Sequence, residues 1–277
     1  MNSDFFIKNS FSKFIEIRGK DRANFLQGLI TNDIFKCKVN HPIYSCILTP
    51  QGKFLADFFI IEKSDRYLIE IHEKYFSSFM EKIEIYKLRS KVYFSKNEEI
   101  DSIILFSKKT KKISDVIIFF QDPRNENIGQ KLFIKSKDIK KINDITEESF
   151  DKYKEILIQN LVPYTPEDLF VNKSLLLENN FQNINAIDWN KGCYVGQEIT
   201  ARMKYRSLLK KQIYVLKLLS GSINPGDSII LNSINIGNAI SKTANYVLCM
   251  LKIDLIKNQS LNNELIETDS KSLLKFL

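Results

Sequence analysis

One stretch constrains this chain more than any other: residues 188–206, DWNKGCYVGQEITARMKYR. Gly192 and Gly196 are set there among Lys191, Cys193, Tyr194, Gln197, Glu198, Arg202, Lys204 and Arg206, just after the sole tryptophan, Trp189. A residue without Cβ lets the backbone turn sharply or approach another group closely, so KGCYVG reads as a loop. The following QEITARMKY contains no breaker, but Ile199 and Thr200 are β-branched, which keeps both helix and strand open. The balance favours an irregular loop running into a strand.

Cys193 has Lys191 two positions before it and Arg202 and Lys204 beyond, and nearby cations favour the nucleophilic thiolate. Burial as a small apolar side chain is the commoner fate of a free cysteine. The other thiols, Cys37, Cys46 and Cys249, show no CxxC spacing, and four cysteines in 277 residues do not make a disulfide framework. Cys37, His41 and Cys46 lack a fourth metal ligand, and Cys46 falls inside an apolar strand. No metal site is expected. With His41 and His72 as the only histidines, a Ser-His-Asp triad has few routes, and neither a phosphate loop nor a GxGxxG fingerprint is present.

The net charge of +8 points to polyanions. The cations are dispersed, however, in separate runs such as SKKTKK at 107–112 and KYRSLLKK at 204–211, the pattern of solvated faces. Direct nucleic-acid binding is therefore not expected as the main function. No apolar run approaches the length of a bilayer span, so no membrane partner is expected either. The N-terminal MNSDFFIKNSFSKF lacks a basic segment followed by an apolar one and is read as that of a cytoplasmic, bacterial-type protein or of a mature chain, with cytoplasmic as the expected location.

Taken in order, FIEI at 14–17 is a strand, and Asp21 caps a helix through about Ile30 with Phe25, Leu26, Leu29 and Ile30 on one face. IYSCILT at 43–49, a turn at 50–53 and FLADFFIIE at 54–62 form a hairpin. Asp57 is a carboxylate within an apolar strand, costly unless paired or facing a polar cavity, which makes it a site candidate. YLIEI at 67–71 leads to a helix at about 73–86 whose Phe76, Phe79, Met80, Ile83 and Tyr86 form a core stripe. Strands at 102–106, 115–120 and 131–134 alternate with turns, among them Asp122-Pro123-Arg124. A helix from Glu147 to Asn160 ends at Pro163 and Pro166. Beyond about 206–211, short strands at regular spacing predict a small β-barrel.

KGCYVGQE resembles the signature of the folate-binding YgfZ-type proteins, relatives of the aminomethyltransferase (T-protein) of the glycine cleavage system. GKDRANFLQGLITND at 19–33, TPQGKFLADF at 49–58, YKLRSKV at 86–92 and the DPR at 122–124 are similar to further stretches of that family. The resemblance implies an α+β, T-protein-like architecture of three lobes around a central funnel. Residues 1–207 would form the folate-binding region of two interleaved α+β lobes, and 208–277 the barrel. Tetrahydrofolate or a one-carbon derivative is the implied cofactor, with Gln197, Glu198, Arg202, Glu178, Asn180, Asn32, Lys87 and Arg89 as its binding residues.

The implied function is assistance in assembling or repairing iron-sulfur clusters, with assembly proteins and client enzymes as partners and an indirect effect on tRNA modification. Cys193 would be the reactive thiol, and Lys191 would support its thiolate. T-proteins carry two adjacent aspartates where this chain has Ala56 and Asp57, so the aminomethyl-transfer role does not carry over. A folate-dependent one-carbon transferase using Asp57 as acid or base, and a basic RNA-binding module using KYRSLLKK, are the alternatives.

Overall fold

The structure, a computed structural model, describes residues 4–107, 116–141, 145–256, 265–269 and 271–277. Apolar runs bounded by turn residues supply its strands, because a period of two puts alternate side chains on one face. In chain order these are β1 (Phe5–Asn9), β2 (Ser12–Arg18), β3 (Ile43–Leu48), β4 (Phe54–Glu62), β5 (Arg66–His72) and β6 (Tyr93–Asn97). Then follow β7 (Ile100–Phe106), β8 (Val116–Gln121), β9 (Gln130–Lys135) and the short β10 (Thr146–Glu147). They build two five-stranded sheets, ordered β3-β4-β5-β2-β6 and β10-β1-β7-β9-β8. β1, which the sequence reading does not contain, pairs with β7 along its whole length and sits between β7 and β10 in the second sheet.

One hydrophobic core joins the two sheets, with Phe14 of β2 meeting Phe133 of β9 edge-on at 4.9 Å between ring centroids. The helices close its sides. α1 (Arg22–Gln27) is shorter than expected. The Asp21 carboxylate accepts the Lys91 amide at 2.7 Å instead of capping, and Leu29 and Ile30 are buried just past the helix end. α2 (Glu73–Lys87) is capped by His72, whose Nδ1 accepts the Lys74 amide at 3.0 Å, and buries Tyr75, Phe79 and Ile83. Its inward face is thus rotated from the predicted stripe, leaving Phe76, Met80 and Tyr86 at the core's margin. α3 (Phe150–Gln159) begins after Glu147 because that residue pairs with β1. α4 (Thr165–Asp168) is the single turn opened by Pro166.

α5 (Gln197–Tyr205) is a helix, not the strand favoured from the sequence. Two β-branched residues cost a few tenths of a kcal/mol in a helix, on the order of what tertiary packing overrides. Thr200 and Met203 bury one face, and Glu198 and Arg202 pair across a turn at 2.5 Å.

The remaining strands, β11 (Lys211–Ser220), β12 (Ser228–Leu231), β13 (Ile234–Lys242), β14 (Tyr246–Lys252), β15 (Leu265–Thr268) and β16 (Leu273–Phe276), form a closed six-stranded barrel. α6 (Ile253–Ile256) follows β14, and β15 and β16 complete a closure that the sequence reading left unassigned. The barrel has its own core, including Leu216, Ile229, Val247 and Leu251, and touches α3 where Ile158 meets Ile213 and Leu248. Of the basic run SKKTKK, residues 108–112 lie outside the described residues, as does Asp115 before β8.

Candidate functional site

Cys193 stands at the tip of a loop fixed at both ends. Before it, the Lys191 ammonium donates to the carbonyls of Gln27 at 2.8 Å, Ile30 at 2.5 Å and Asn32 at 2.9 Å. The first is the last carbonyl of α1, where a cation is a natural partner, and the other two belong to the segment that follows it. After it, the Val195 amide donates to Gly28 at 3.0 Å. Gly196 adopts φ +83°, and a Cβ there would lie 2.3 Å from the Thr49 carbonyl. Its partner is the turn at Gly52, φ +72°, where a Cβ would meet the Gly196 carbonyl at 2.9 Å. The close approach expected of the signature glycines therefore belongs to Gly196. A Cβ on Gly192 would meet nothing within 4 Å.

Lys191 makes no hydrogen bond to Cys193: its protons are spent on backbone carbonyls. Burial pushes its ammonium down to about 8, with Asp33 and Asp188 acting in the opposite direction. The group that reaches the sulfur is Gln197, whose Nε2 lies 3.8 Å from Sγ while its Oε1 accepts the Tyr194 amide at 3.0 Å. Among the four cysteines Cys193 is the exposed one. Burial pushes the Cys37 thiol to about 12 and holds those of Cys46 and Cys249 well above the usual range. Cys37 moreover donates to the Ile60 carbonyl at 3.2 Å, and Cys46 lies fully within the β3 core, so both serve packing.

The other candidates do not converge on one pocket. Glu198 and Arg202 are exposed and paired with each other. Glu178 faces Lys211 at 3.7 Å, and burial raises its carboxyl. Asn180 is buried at φ 67°, donating to the Leu161 carbonyl and accepting from Asn183. Asn32 donates to the Tyr44 and Asn185 carbonyls and lines an open cleft with Trp189. That Trp189 ring lies 3.8 Å from the Lys204 ammonium. Lys87 pairs with Glu84 and covers the Tyr93 and Phe94 rings, while Arg89 sits on the exposed turn after α2.

Asp57 alone of the set lines the central cavity, which lies between the two sheets, α3 and α4. Tyr44 Oη and Thr165 Oγ1 each donate to its carboxylate at 2.6 Å, and burial pushes its carboxyl up despite both bonds. Around it stand two buried ion pairs that sequence reasoning missed. Arg124 grips Asp122 through Nε at 3.0 Å and Nη2 at 2.8 Å, donates to Tyr153 Oη, and lies over the Tyr44 and Phe59 rings. Lys131 meets Glu70 at 2.6 Å and lies 4.1 Å from the Phe59 ring centre. The DPR tripeptide is thus more than a turn. Glu70 carried the same signal as Asp57, a carboxylate within an apolar strand.

The implied folate does not fit this cavity. The space is about 60 Å³, against roughly 300–1,000 Å³ for small-molecule sites, and suits a few waters. Arg124 and Lys131, the cations that would greet an anionic ligand, are already neutralised by Asp122 and Glu70.

No model of a known protein family matches the chain. It is 29% identical over 232 residues to the mitochondrial iron-sulfur cluster assembly factor IBA57 homolog of Mycosarcoma maydis, covering 78% of this chain and 57% of that protein. The Dictyostelium discoideum homolog is 26% identical over 72% of this chain and 59% of its own length. Human IBA57 is 24% identical over 79% and 69% respectively. The chain thus spans between half and about two thirds of the length of these relatives. Its fold is that of the glycine cleavage system aminomethyltransferase T from Bartonella henselae, with a TM-score of 0.78 at 12% identity over 99% of this chain and 85% of that one. The α+β, T-protein-like architecture with a C-terminal barrel is therefore observed. The relatives bear the IBA57 rather than the YgfZ name, and they are named mitochondrial, which overturns the cytoplasmic location expected from the N-terminal residues.

Proposed function

We propose that this chain is an iron-sulfur cluster assembly factor whose working group is the Cys193 thiolate. The observation that carries the proposal is the presentation of that thiol: one exposed cysteine of four, on a loop bolted through Lys191 and Gly196. The similarity to IBA57-type factors supplies the class of cargo. A single thiolate cannot hold a cluster, so the cluster is shared with an assembly protein or client enzyme. Cys193 binds an iron of the cluster by displacing one existing ligand, its proton passing to solvent, and returns the site when the cluster moves on. Gln197 steadies the sulfur. Enzymes that modify tRNA would feel the factor through their clusters alone.

The central cavity does not seat a pteridine as built, so a tetrahydrofolate would have to use the open cleft of about 400 Å³ that Asn32 lines with Tyr44 and Trp189. Asp57, held between Tyr44 and Thr165, is then a strut of the central cavity and not an acid or base for one-carbon transfer. In cells lacking the endogenous factor, Cys193→Ser is expected to leave iron-sulfur enzyme activity unrestored although the protein accumulates. Restoration equal to the unmodified chain would remove Cys193 from the mechanism.

A further inference from the structure

The turn joining α2 to β6 carries a strained residue that packing does not explain. Leu88 has φ 45° and ψ −114°, the first central position of a type II′ turn, where glycine is at ease and a side chain is not. The Ser90 amide closes the turn on the Lys87 carbonyl at 2.8 Å. Yet Leu88 is 86% exposed, so its side chain contributes little to the core in return for that strain. Strain kept without local benefit points to a use outside the fold.

The surroundings indicate the use. Ile85, one helical turn earlier, is 57% exposed, and Tyr93, under the Lys87 ammonium, is 64% exposed. The chain flanking this turn carries Lys82, Lys87, Arg89 and Lys91 against Glu81 and Glu84, and Asp21, next to Lys20, is bonded to the Lys91 amide. Glu84 is committed to Lys87. Lys20, Arg89 and Lys91 make no ion pair among the described residues.

We propose that the Lys87–Ser90 turn is an anchor for an anionic bilayer surface. Leu88, with Ile85 and Tyr93, enters the boundary between headgroups and acyl chains, while the surrounding lysines and Arg89 meet lipid phosphates and lay their stems along the apolar tip. An exposed apolar side chain flanked by cations that make no ion pair among the described residues matches the boundary of an anionic bilayer, which offers phosphates and acyl chains together. This is surface attachment; the lack of a bilayer-spanning run does not bear on it.

The test is co-sedimentation of the full chain with phosphatidylcholine vesicles, with and without about one third phosphatidylglycerol, at about 0.02 M and about 0.3 M salt. Binding is expected to the anionic vesicles only and to weaken at high salt. Leu88→Gly should weaken it at least about tenfold while the melting temperature holds or rises, because glycine relieves the strain. Arg89→Gln with Lys91→Gln should weaken it and flatten the salt dependence. No binding to anionic vesicles overturns the proposal, as does binding indifferent to Leu88→Gly. A lower melting temperature for Leu88→Gly would overturn it too, since the leucine would then serve the fold. Loss of affinity for a cluster-carrying protein partner without vesicle binding would make the turn a protein contact instead. The vesicle and melting readouts are independent of cluster chemistry at Cys193.

Discussion

At the scale of single residues, Lys191 shows how a side chain near a reactive thiol can serve it without touching it. Its three carbonyl partners lie 159 to 164 residues away in sequence. That separation is why the signature revealed the lysine but not its role: a string of neighbours contains the charge, and only the fold contains the carbonyls. Lys191→Met should cost about 2–4 kcal/mol, since charge-assisted hydrogen bonds vanish and buried carbonyls go unmet. Arginine should not rescue it, because a planar fork cannot converge on three carbonyls around one nitrogen. The rate of Cys193 alkylation in the folded variant should stay within about twofold of the unmodified chain; a fall of about tenfold would restore an electrostatic role. The enclosed setting of Asp57 was legible from strand polarity, and the cations read around Cys193 turn out to be engaged elsewhere. Lys131 was not legible, because its partner Glu70 arrives from another strand, and Arg124 passed for part of a turn because its partner Asp122 is only two residues away while the rings it covers come from β3 and β4.

At the scale of elements, α4 ties a titration to the fold. The Tyr164 amide donates to Asp168 Oδ2 at 2.6 Å, and Tyr164 Oη lies 2.9 Å from His72 Nε2. Burial pushes the Asp168 carboxyl up to about 7 and the His72 imidazole down to about 4. The two act in opposite directions. A raised carboxyl binds its proton in the fold where the unfolded chain has lost it, so Asp168 makes stability fall as pH rises from about 4 to about 7. A depressed imidazole stays neutral in the fold where the unfolded chain is protonated, so His72 makes stability rise between about 4 and about 6.5. Chemical unfolding of Asp168→Asn should therefore show stability climbing through that window, and His72→Gln should show it falling. The same slope in both variants would disprove the opposition. Among elements, the hairpin and the presence of α2 were readable from periodicity, while the buried face of α2 is rotated from the stripe the spacing predicts. α5 was misjudged because its β-branched pair says nothing of the glycine-bounded loop and the hairpin turn that receive it.

For the whole molecule, the two sheets share one core and the barrel keeps its own, so the cavity lies between walls that are themselves well packed. Adding about 1 mM 5-formyltetrahydrofolate should leave the melting temperature unchanged, whereas a ligand bound with a Kd of about 10 µM would add about 2.7 kcal/mol. A dose-dependent rise would mean that the cavity opens or that the open cleft is used. The general architecture was legible because the motif resemblance is spread along the chain. The closure of the barrel was not, since β15 and β16 are only four residues each.

The cradle of Lys191 also dictates an order of events as the chain is made. Its carbonyls are synthesised more than 150 residues before the ammonium that fills them, as is Thr31 before the Ala186 carbonyl it bonds. Bringing such distant partners together incurs the loop-closure entropy that slows non-local contacts. The thiol is thus among the last features to reach its place, and a chain still being made carries a cysteine that is present but not yet aimed.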